Sequence, residues 1–172
     1  MVLRDFTVPK ENFSDVILVV QGKRLHVEKQ YLSLYSSLFH SMFYSNLADE
    51  KEIPIDDLKY DEFVELLDVI YPSHTPIRNE TVEFLLRLGD RFGIDYVLRQ
   101  CVIYLGSAQC TLLVTNKLLW VDLYCFRELD NLCKSLFKTL DDVKKLKTYP
   151  NNRANLPDRV MAAVMRQCFM VI

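Results

Sequence analysis

The spacing of hydrophobic residues near the start of the chain predicts two β-strands. Residues 14–20 include a continuous aliphatic run, and in residues 23–28 the apolar Leu25 and Val27 alternate with polar neighbours. Gln21-Gly22 lies between them, where glycine supplies the left-handed conformation that a short hairpin turn needs. A two-stranded ribbon is only marginally stable alone, so a further strand or a packed helix is expected beside it.

Residues 29–43 have the periodicity of a helix that is apolar on more than one side. Apolar side chains recur at the spacing of one helical face, and these are Tyr31, Leu34, Tyr35, Leu38, Phe39, Met42 and Phe43. Leu32 lies off that line, so the helix has to bury two faces. Either both faces belong to the core of one domain, or one face packs against a symmetric partner.

The rest of the pattern predicts a short strand followed by a series of helices. Residues 53–55 indicate a strand in which Pro54 favours an edge position. Residues 59–71 form an amphipathic pattern that ends at Tyr71-Pro72, because the residue before proline is disfavoured in a helix. Further helices are predicted from Thr81 to a stop at Gly93, over 94–105, over 112–124, over 129–140 and from Pro157 onward. The fold class is therefore α+β, and residues 106–109 mark the best domain boundary.

Two features near the N-terminus allow more than one interpretation. Residues 1–13 are either a lead-in strand or tail, or the end of a linker from an upstream domain, and Phe6, Val8 and Phe13 can pack onto the fold. Asp15 opens the first strand, where a carboxylate is typical of a turn or capping residue that accepts hydrogen bonds from nearby backbone N–H groups.

Composition and charge exclude several classes of function. Half of the residues are hydrophobic and only four are glycine, which allows a sizeable core. The net charge is −2 without a basic block, so neither nucleic-acid binding nor attachment to an anionic membrane surface is expected. The longest apolar runs fall far short of the ~20 residues that span a bilayer, and the N-terminus has no signal core. We expect a cytoplasmic or nuclear protein.

The cysteines and the other chemically active residues predict neither a cofactor nor catalysis. The five cysteines are an odd number without a C-x-x-C pair and lie in helical patterns, so they are expected as reduced core residues rather than zinc ligands. The sequence contains no glycine-rich phosphate loop and no nucleophile elbow. The carboxylates of Asp61, Glu62 and Glu65 are expected on the solvent side of their helix. We predict no cofactor, no metal and no enzyme activity.

An ordered set of motifs resembles the BTB/POZ domain family. The set is Ser14-Asp15-Val16, Lys29 to Leu32, Ser36, Phe39, Met42-Phe43 and Ile53 to Ile55, and the similarity runs from about Phe13 to Leu105. The resemblance implies a lead-in at residues 1–12, a BTB/POZ domain at 13–106 and an all-helical BACK-like extension at 107–172. It is similar to the arrangement of cullin-3 ubiquitin-ligase adaptors such as the MATH-BTB proteins, here without a MATH domain.

The resemblance also implies partners and the residues that contact them. It implies a homodimer with an interface at Tyr31, Leu34, Tyr35 and Leu38. It implies cullin-3 binding through Leu47, Asp49 and Tyr71, since Leu47-Ala48-Asp49 matches the family's hydrophobic-x-Glu motif with Asp in place of Glu. The substrate protein is unknown, and an upstream domain outside this chain would bind it. The alternatives are a structural or transcriptional scaffold that only self-associates, and a tetramerisation module.

The sequence departs from the family pattern at five positions, 28, 35, 49, 72 and 73. Tyr35 stands where relatives carry a basic residue that faces the Asp matching Asp15 near the dimer interface, which puts the family's charged pocket in doubt. Glu28 replaces a common His, Asp49 replaces Glu, and Tyr71-Pro72-Ser73 replaces Tyr-Thr-Gly.

Overall fold

The computed structural model divides the chain into two compact units. It describes residues 4–46, 50–72, 74–139, 141–142, 144 and 156–171. The first unit comprises residues 1–77 and 87–97, and the second comprises residues 78–86 and 98–172. Of the described helices, none is long and apolar enough to cross a membrane.

The first unit contains the predicted sheet, with three strands in the order β2-β1-β3. Strands β1 (Val16–Val20) and β2 (Lys23–Val27) form an antiparallel hairpin in which Leu18 pairs with Leu25. Gln21 and Gly22 both have positive φ, which suits the two-residue turns of such hairpins. Strand β3 (Glu52–Pro54) pairs in parallel with β1. The predicted third strand is confirmed, shifted by one residue.

Pro54 lies on the outer edge of the sheet, as its missing N–H requires. The N–H of Ile55 donates to the carbonyl of Val19, and the N–H of Ile17 donates to the carbonyl of Lys51. Lys51 and Ile55 therefore turn their bonding backbone groups toward β1. The nitrogen of Pro54, between them, points away from β1.

The predicted helix over residues 29–43 is interrupted at Ser36, which differs from the sequence-based expectation. Helix α1 (Lys29–Tyr35) ends at Ser36, whose backbone is extended, and helix α2 (Ser37–Ser41) begins after it. The Ser36 hydroxyl accepts a hydrogen bond from the N–H of Phe39 at 3.0 Å and donates one to the carbonyl of Phe92. A π-helical turn follows at Met42–Asn46.

Three aromatic rings form the centre of the first unit. Phe39 and Phe92 stack with ring centroids 4.9 Å apart, and Phe63 lies 5.6 Å from Phe92. Phe63 belongs to helix α3 (Tyr60–Ile70), and Phe92 follows helix α4 (Val82–Arg91). All three rings are almost completely buried, so each contributes hydrophobic stabilisation of order 1.5–3 kcal/mol.

One expectation about helix α3 is wrong. Glu62 is not on the solvent side, because its side chain is only 15% exposed and pairs with both Lys59 and Arg87. The apolar period predicted the helix itself correctly, but the basic partner Arg87 comes from a distant part of the chain.

The described secondary structure of the second unit consists of helices joined by turns. Helix α5 (Asp95–Leu105), which begins in the first unit and continues in the second, starts after Gly93, which has φ +61 and ends the preceding turn. Helix α6 (Val114–Tyr124), a 3₁₀ turn (Phe126–Glu128), helix α7 (Leu129–Leu136) and helix α8 (Asp158–Val171) follow. Helix α7 packs against both α6 and α8.

A partly buried ion pair joins α6 to α8. Asp122 is buried and the Arg159 side chain is 57% exposed; Arg159 Nη2 donates a hydrogen bond to Asp122 Oδ2 at 2.8 Å, and Nε lies 2.5 Å from Oδ1. The Arg159 guanidinium also lies 5.2 Å from the centre of the Phe126 ring. These contacts set the position of α8 relative to α6 within this unit.

The cysteines are free and mainly buried, as predicted. Cys101, Cys110, Cys125 and Cys133 are buried, and Cys168 is intermediate. Burial raises the pKa of the Cys101 thiol, and burial raises the pKa of Cys133 to about 12. Both thiols therefore stay protonated and act as small apolar core groups.

Candidate functional site

Helices α1 and α2 present an apolar face at the surface of the first unit. Leu34 is 75% exposed and Leu38 is 43% exposed. The rings of Tyr31 and Tyr35, one turn apart on α1, lie beside them with their centroids 5.4 Å apart. Tyrosines are enriched at protein–protein interfaces, so exposed leucines next to half-buried tyrosines suit contact with another protein.

Tyr31 is held in place from the inner side of this face. Its hydroxyl donates to the carbonyl of Ile70 at 3.0 Å, and its ring lies 4.6 Å from that of Tyr71. Burial, together with the neighbouring Tyr35, raises the pKa of the Tyr31 hydroxyl, which therefore remains a protonated donor. The face is consequently rigid at Tyr31 and exposed at Leu34.

Tyr35 contacts other tyrosines rather than a carboxylate. Its ring packs edge-on against Tyr96 at 5.6 Å. Asp15, which faces a basic residue in the resembling family, accepts a hydrogen bond from the backbone N–H of Lys29 at 2.7 Å. This is the contact of a turn or capping residue, and it ties the start of α1 to the start of β1. Sequence reasoning missed Tyr96, because it is 61 positions from Tyr35 and no local pattern connects them.

An open groove of about 560 Å³ lies beside Leu34. Its lining combines apolar and polar side chains, among them Phe13, Asp15, Glu28, Tyr31 and Leu34. Phe13 is 57% exposed at its rim. Such a shallow, mixed surface fits a protein segment rather than a small substrate, which usually occupies a deep apolar pocket.

Tyr71, predicted to bind cullin-3, is buried in this structure. It is 2% exposed, its hydroxyl accepts a hydrogen bond from the N–H of Glu28 at 3.3 Å, and the ring of Phe6 packs edge-on against it at 5.0 Å. Burial raises the pKa of its hydroxyl. Leu47 and Asp49, the other two residues of that predicted set, lie outside the described residues. A cullin contact at these three positions stays a prediction.

Of the three apolar residues expected to anchor the N-terminal segment, one does so. Phe6 is 2% exposed, whereas Val8 and Phe13 are each 57% exposed. The sequence alone did not reveal that Arg4 also holds this segment, because its partners lie in β2 and at the start of α1. Within the described part of the chain, no cluster of three or more His, Cys, Asp or Glu side chains is placed to hold a metal ion.

Comparison with known proteins identifies the class to which this fold and face belong. The family model of the BTB/POZ domain matches residues 7–109. The chain belongs to the BTB/POZ family, and its small sheet with flanking helices is the α+β fold predicted from the resemblance.

Relatives with a second domain match nearly the whole chain. This chain is 37% identical over 170 residues to BTB and MATH domain-containing protein 38 of Caenorhabditis elegans, and the alignment covers 98% of this chain and 43% of the relative. It is 41% identical over 155 residues to BTB and MATH domain-containing protein 36 of the same organism, and that alignment covers 89% of this chain and 48% of the relative. The chain thus spans less than half the length of these two relatives.

Two solved BTB domains also resemble the chain. The BTB domain of zebrafish PATZ1 has a TM-score of 0.46 and 25% identity, and it covers 53% of this chain and 74% of that chain. The BTB domain of human gigaxonin has a TM-score of 0.49 and 20% identity, and it covers 55% of this chain and 79% of that chain.

Proposed function

We propose that this chain is a self-associating adaptor that binds cullin-3 and brings a substrate protein to a ubiquitin ligase. The exposed apolar face at Leu34 and Leu38 is the observation that carries the proposal, because a BTB/POZ chain with a free apolar face is built for contact with another protein. The protein performs no transfer chemistry in this scheme; it holds partners together.

The self-association step uses the face of α1 and α2. A two-fold interface places the same surface of each copy against the other, so the exposed Leu34 and Leu38 of one copy can meet the half-buried Tyr31 and Tyr35 of the next. Because Tyr35 packs on Tyr96, the interface in this chain would be aromatic and apolar where the family commonly has a charged pocket.

The cullin step uses residues 47–49, which follow the π-helical turn in sequence. Leu47 would fill an apolar pocket on the partner, and the carboxylate of Asp49, two residues further on, would pair with a basic or hydroxyl group on a helix of the partner. Tyr71, at the end of α3, is the third proposed cullin contact; it is buried beside Phe6 in the unbound chain. The helices of the BACK-like region would extend the cullin groove.

The domain boundaries belong to the proposal as well. We place a lead-in at residues 1–12, the BTB/POZ domain at 13–106 and a BACK-like helical region at 107–172. A domain attached ahead of this chain would bind the substrate, and the names of the MATH-containing relatives are in line with that arrangement. The complex would act in the cytoplasm, the nucleus or both.

A calorimetric titration against the N-terminal domain of cullin-3 tests the adaptor function. The wild-type chain is expected to bind with a Kd of about 1 μM or tighter, which corresponds to about −8 kcal/mol. The Leu47→Asp/Asp49→Lys variant is expected to lose that binding. A Glu50→Lys variant, which changes charge at an exposed residue beside the motif, serves as the matched control.

The outcomes separate the two candidate functions. A wild-type chain that self-associates but does not bind cullin-3 would contradict the adaptor function and support a scaffold that only self-associates, structural or transcriptional. Binding that survives the double substitution would keep the function and move the contact away from Leu47 and Asp49. Light scattering on the same samples distinguishes a dimer from a tetramerisation module.

A further inference from the structure

The N-terminal segment is docked onto the first unit through two side chains. Arg4 and Phe6 are the parts of this segment that face the protein, while residues 7–13 are exposed. Phe6 is 2% exposed, and its ring packs on Tyr71. The segment has two anchors placed two residues apart, and it turns at Phe6 and Thr7.

The first anchor, Arg4, occupies a site with a built-in carboxylate. One guanidinium nitrogen bonds Glu28 Oε1 at 2.6 Å, and the other bonds Ser14 Oγ and the carbonyl of His26, both at 3.1 Å. The guanidinium also lies 4.7 Å from the centre of the Tyr71 ring. A cation with planar, forked donors matches this combination of carboxylate, carbonyl and aromatic face.

The second anchor adds a backbone hydrogen bond to the edge of the sheet. The N–H of His26 on β2 donates to the carbonyl of Phe6 at 2.7 Å. Strand β2 is an edge strand, so its outer backbone groups face away from the sheet and can bond a neighbouring segment. The basic residue, the edge hydrogen bond and the buried aromatic ring all contact one continuous surface of the first unit.

The docked state has a weak point. Arg4 Nε is buried without a hydrogen-bond partner, which costs part of what the guanidinium gains. Among the described residues of the segment, two side chains anchor it and residues 7–13 behind them are exposed, and few buried contacts are a feature of parts of a fold that open locally.

We propose that the groove formed by Ser14, His26, Glu28 and Tyr71 is a peptide-recognition site that the chain's own Arg4–Phe6 segment fills in cis. The ligand in trans is a segment of a partner protein with a basic residue followed two positions later by an aromatic residue. The cis segment competes with that ligand, because tethering gives it an effective concentration in the millimolar range. The Glu28 carboxylate, which bonds Arg4 in the cis segment, supplies the selectivity for the basic residue.

A titration with the chain's own segment as probe tests the site. The probe is a fluorescein-labelled peptide of residues 1–10, and binding is followed by fluorescence anisotropy. The full chain carrying Arg4→Ala/Phe6→Ala is expected to bind the peptide at least tenfold tighter than the wild type does. The matched control is Asp5→Ala/Thr7→Ala, which changes two exposed residues of the same segment that bond each other, and it should bind like the wild type.

Two further arms test the chemistry of the site. Adding Glu28→Gln to the released variant is expected to weaken peptide binding at least tenfold, as is a peptide with Arg4→Ala. Hydrogen exchange by NMR should show the His26 amide of the released variant regaining protection when the peptide is added.

Several results would overturn the proposal. One is a released variant that binds the peptide no tighter than the wild type does; another is binding that ignores both the Glu28 change and the Arg4 change in the peptide. If the double variant unfolds, as judged by circular dichroism, the single variant Phe6→Ala replaces it and is expected to bind at least threefold tighter than the wild type. Since no arm contains cullin-3, failure here is distinct from failure of the adaptor function.

Discussion

Ser36 is the residue that decides where the first long helical pattern is interrupted. Its hydroxyl serves two backbone groups at once, the N–H of Phe39 and the carbonyl of Phe92. The first contact caps the start of α2, and the second reaches 56 positions along the chain. The side chain is 2% exposed, so water does not replace either bond if the hydroxyl is lost.

Ser36→Ala is therefore expected to lower the free energy of unfolding by about 1–2 kcal/mol, the combined effect of a lost cap and a lost buried hydrogen bond. Urea denaturation followed by circular dichroism measures it. Ser37→Ala, an exposed neighbour, is the control and should change stability by less than about 0.5 kcal/mol. Equal effects of the two substitutions would contradict the role of Ser36.

Asp68 is a buried carboxyl group whose protonation affects stability. It is 9% exposed on α3, and burial, with a smaller contribution from the charge of Glu65, raises its pKa from 3.8 to about 6. The folded state therefore holds this proton more tightly than the unfolded state does. The contribution of Asp68 to stability is greatest below pH 4, falls as the pH rises from about 4 to about 6, and is constant above that.

Asp68→Asn removes the ionisation while keeping the shape of the side chain. The difference in the free energy of unfolding, variant minus wild type, is expected to rise by about 1–2 kcal/mol between pH 4 and pH 7. The wild type loses the contribution of the protonated Asp68 over this range, and one pKa unit corresponds to about 1.4 kcal/mol. Thermal and urea unfolding at both pH values measures the change. The control is Asp61→Asn, at an exposed position of the same helix. A difference that does not vary with pH would refute this account of Asp68.

At the scale of elements, the end of α5 approaches α7 so closely that only glycine fits. A Cβ atom built on Gly106 would lie 2.7 Å from Ser135 Cβ and closer still to Ser135 Oγ. Such distances are well inside normal van der Waals contact. Gly106 therefore does more than end a helix in this structure; it allows α5 and α7 to pack within the second unit.

Gly106→Ala is expected to destabilise the second unit by about 1–3 kcal/mol through overpacking. The fluorescence of Trp120, the only tryptophan of the chain, reports unfolding of α6 in the same unit. Ser135→Gly removes the opposing atoms and should cost about 1 kcal/mol alone, as glycine does inside a helix.

The pair of substitutions is the critical test. If the close approach is the cause, Gly106→Ala should cost less in the Ser135→Gly background than in the wild type, with a coupling of about 1 kcal/mol or more. Additive effects would rule out the contact between these two positions as the reason.

At the scale of the whole molecule, the exposed face of α1 and α2 predicts self-association. Leu34→Asp/Leu38→Asp places two charges where the proposed interface is apolar, and desolvating unpaired charges there is costly. We expect the wild type to have twice the chain mass of 20.2 kDa in light scattering and the variant to have the mass of one chain.

Val8→Asp is the matched control for that measurement. Val8 is an exposed apolar residue of the same unit, at 57% exposure, but it lies outside α1 and α2. It should leave the wild-type mass unchanged. A monomeric wild-type chain, or a Leu34/Leu38 variant that keeps the wild-type mass, would contradict self-association through this face.

Much of the fold was predictable because it depends on short-range pattern. The alternation around Leu25 and the aliphatic run of Val16–Val20 require strands, and Gly22 between them allows a tight turn. The 3.6-residue period of α3 and α5 placed those helices to within one or two residues. The break at Ser36 and the ion pair of the partly buried Glu62 were not predictable, since both depend on partners, Phe92 and Arg87, that are distant in sequence.

The candidate site divides in the same way. The sequence singled out Tyr31, Leu34, Tyr35 and Leu38 from helical spacing and family resemblance, and the structure shows which of them are exposed. The sequence could not indicate that Tyr71 lies beneath Arg4 and Phe6. A tyrosine at the end of a helix has the same local sequence whether it is buried or exposed.

By itself, the sequence determined the elements of this protein and the family to which it belongs. Hydrophobic period, turn glycines and prolines act over a few residues, and their effects do not need the rest of the molecule. Only the tertiary structure decided which polar groups would be buried and with whom they would pair, as for Ser36, Glu62 and Arg4. Those choices depend on contacts between residues far apart in the chain, and they exist only once the core around Phe39 and Phe92 has packed.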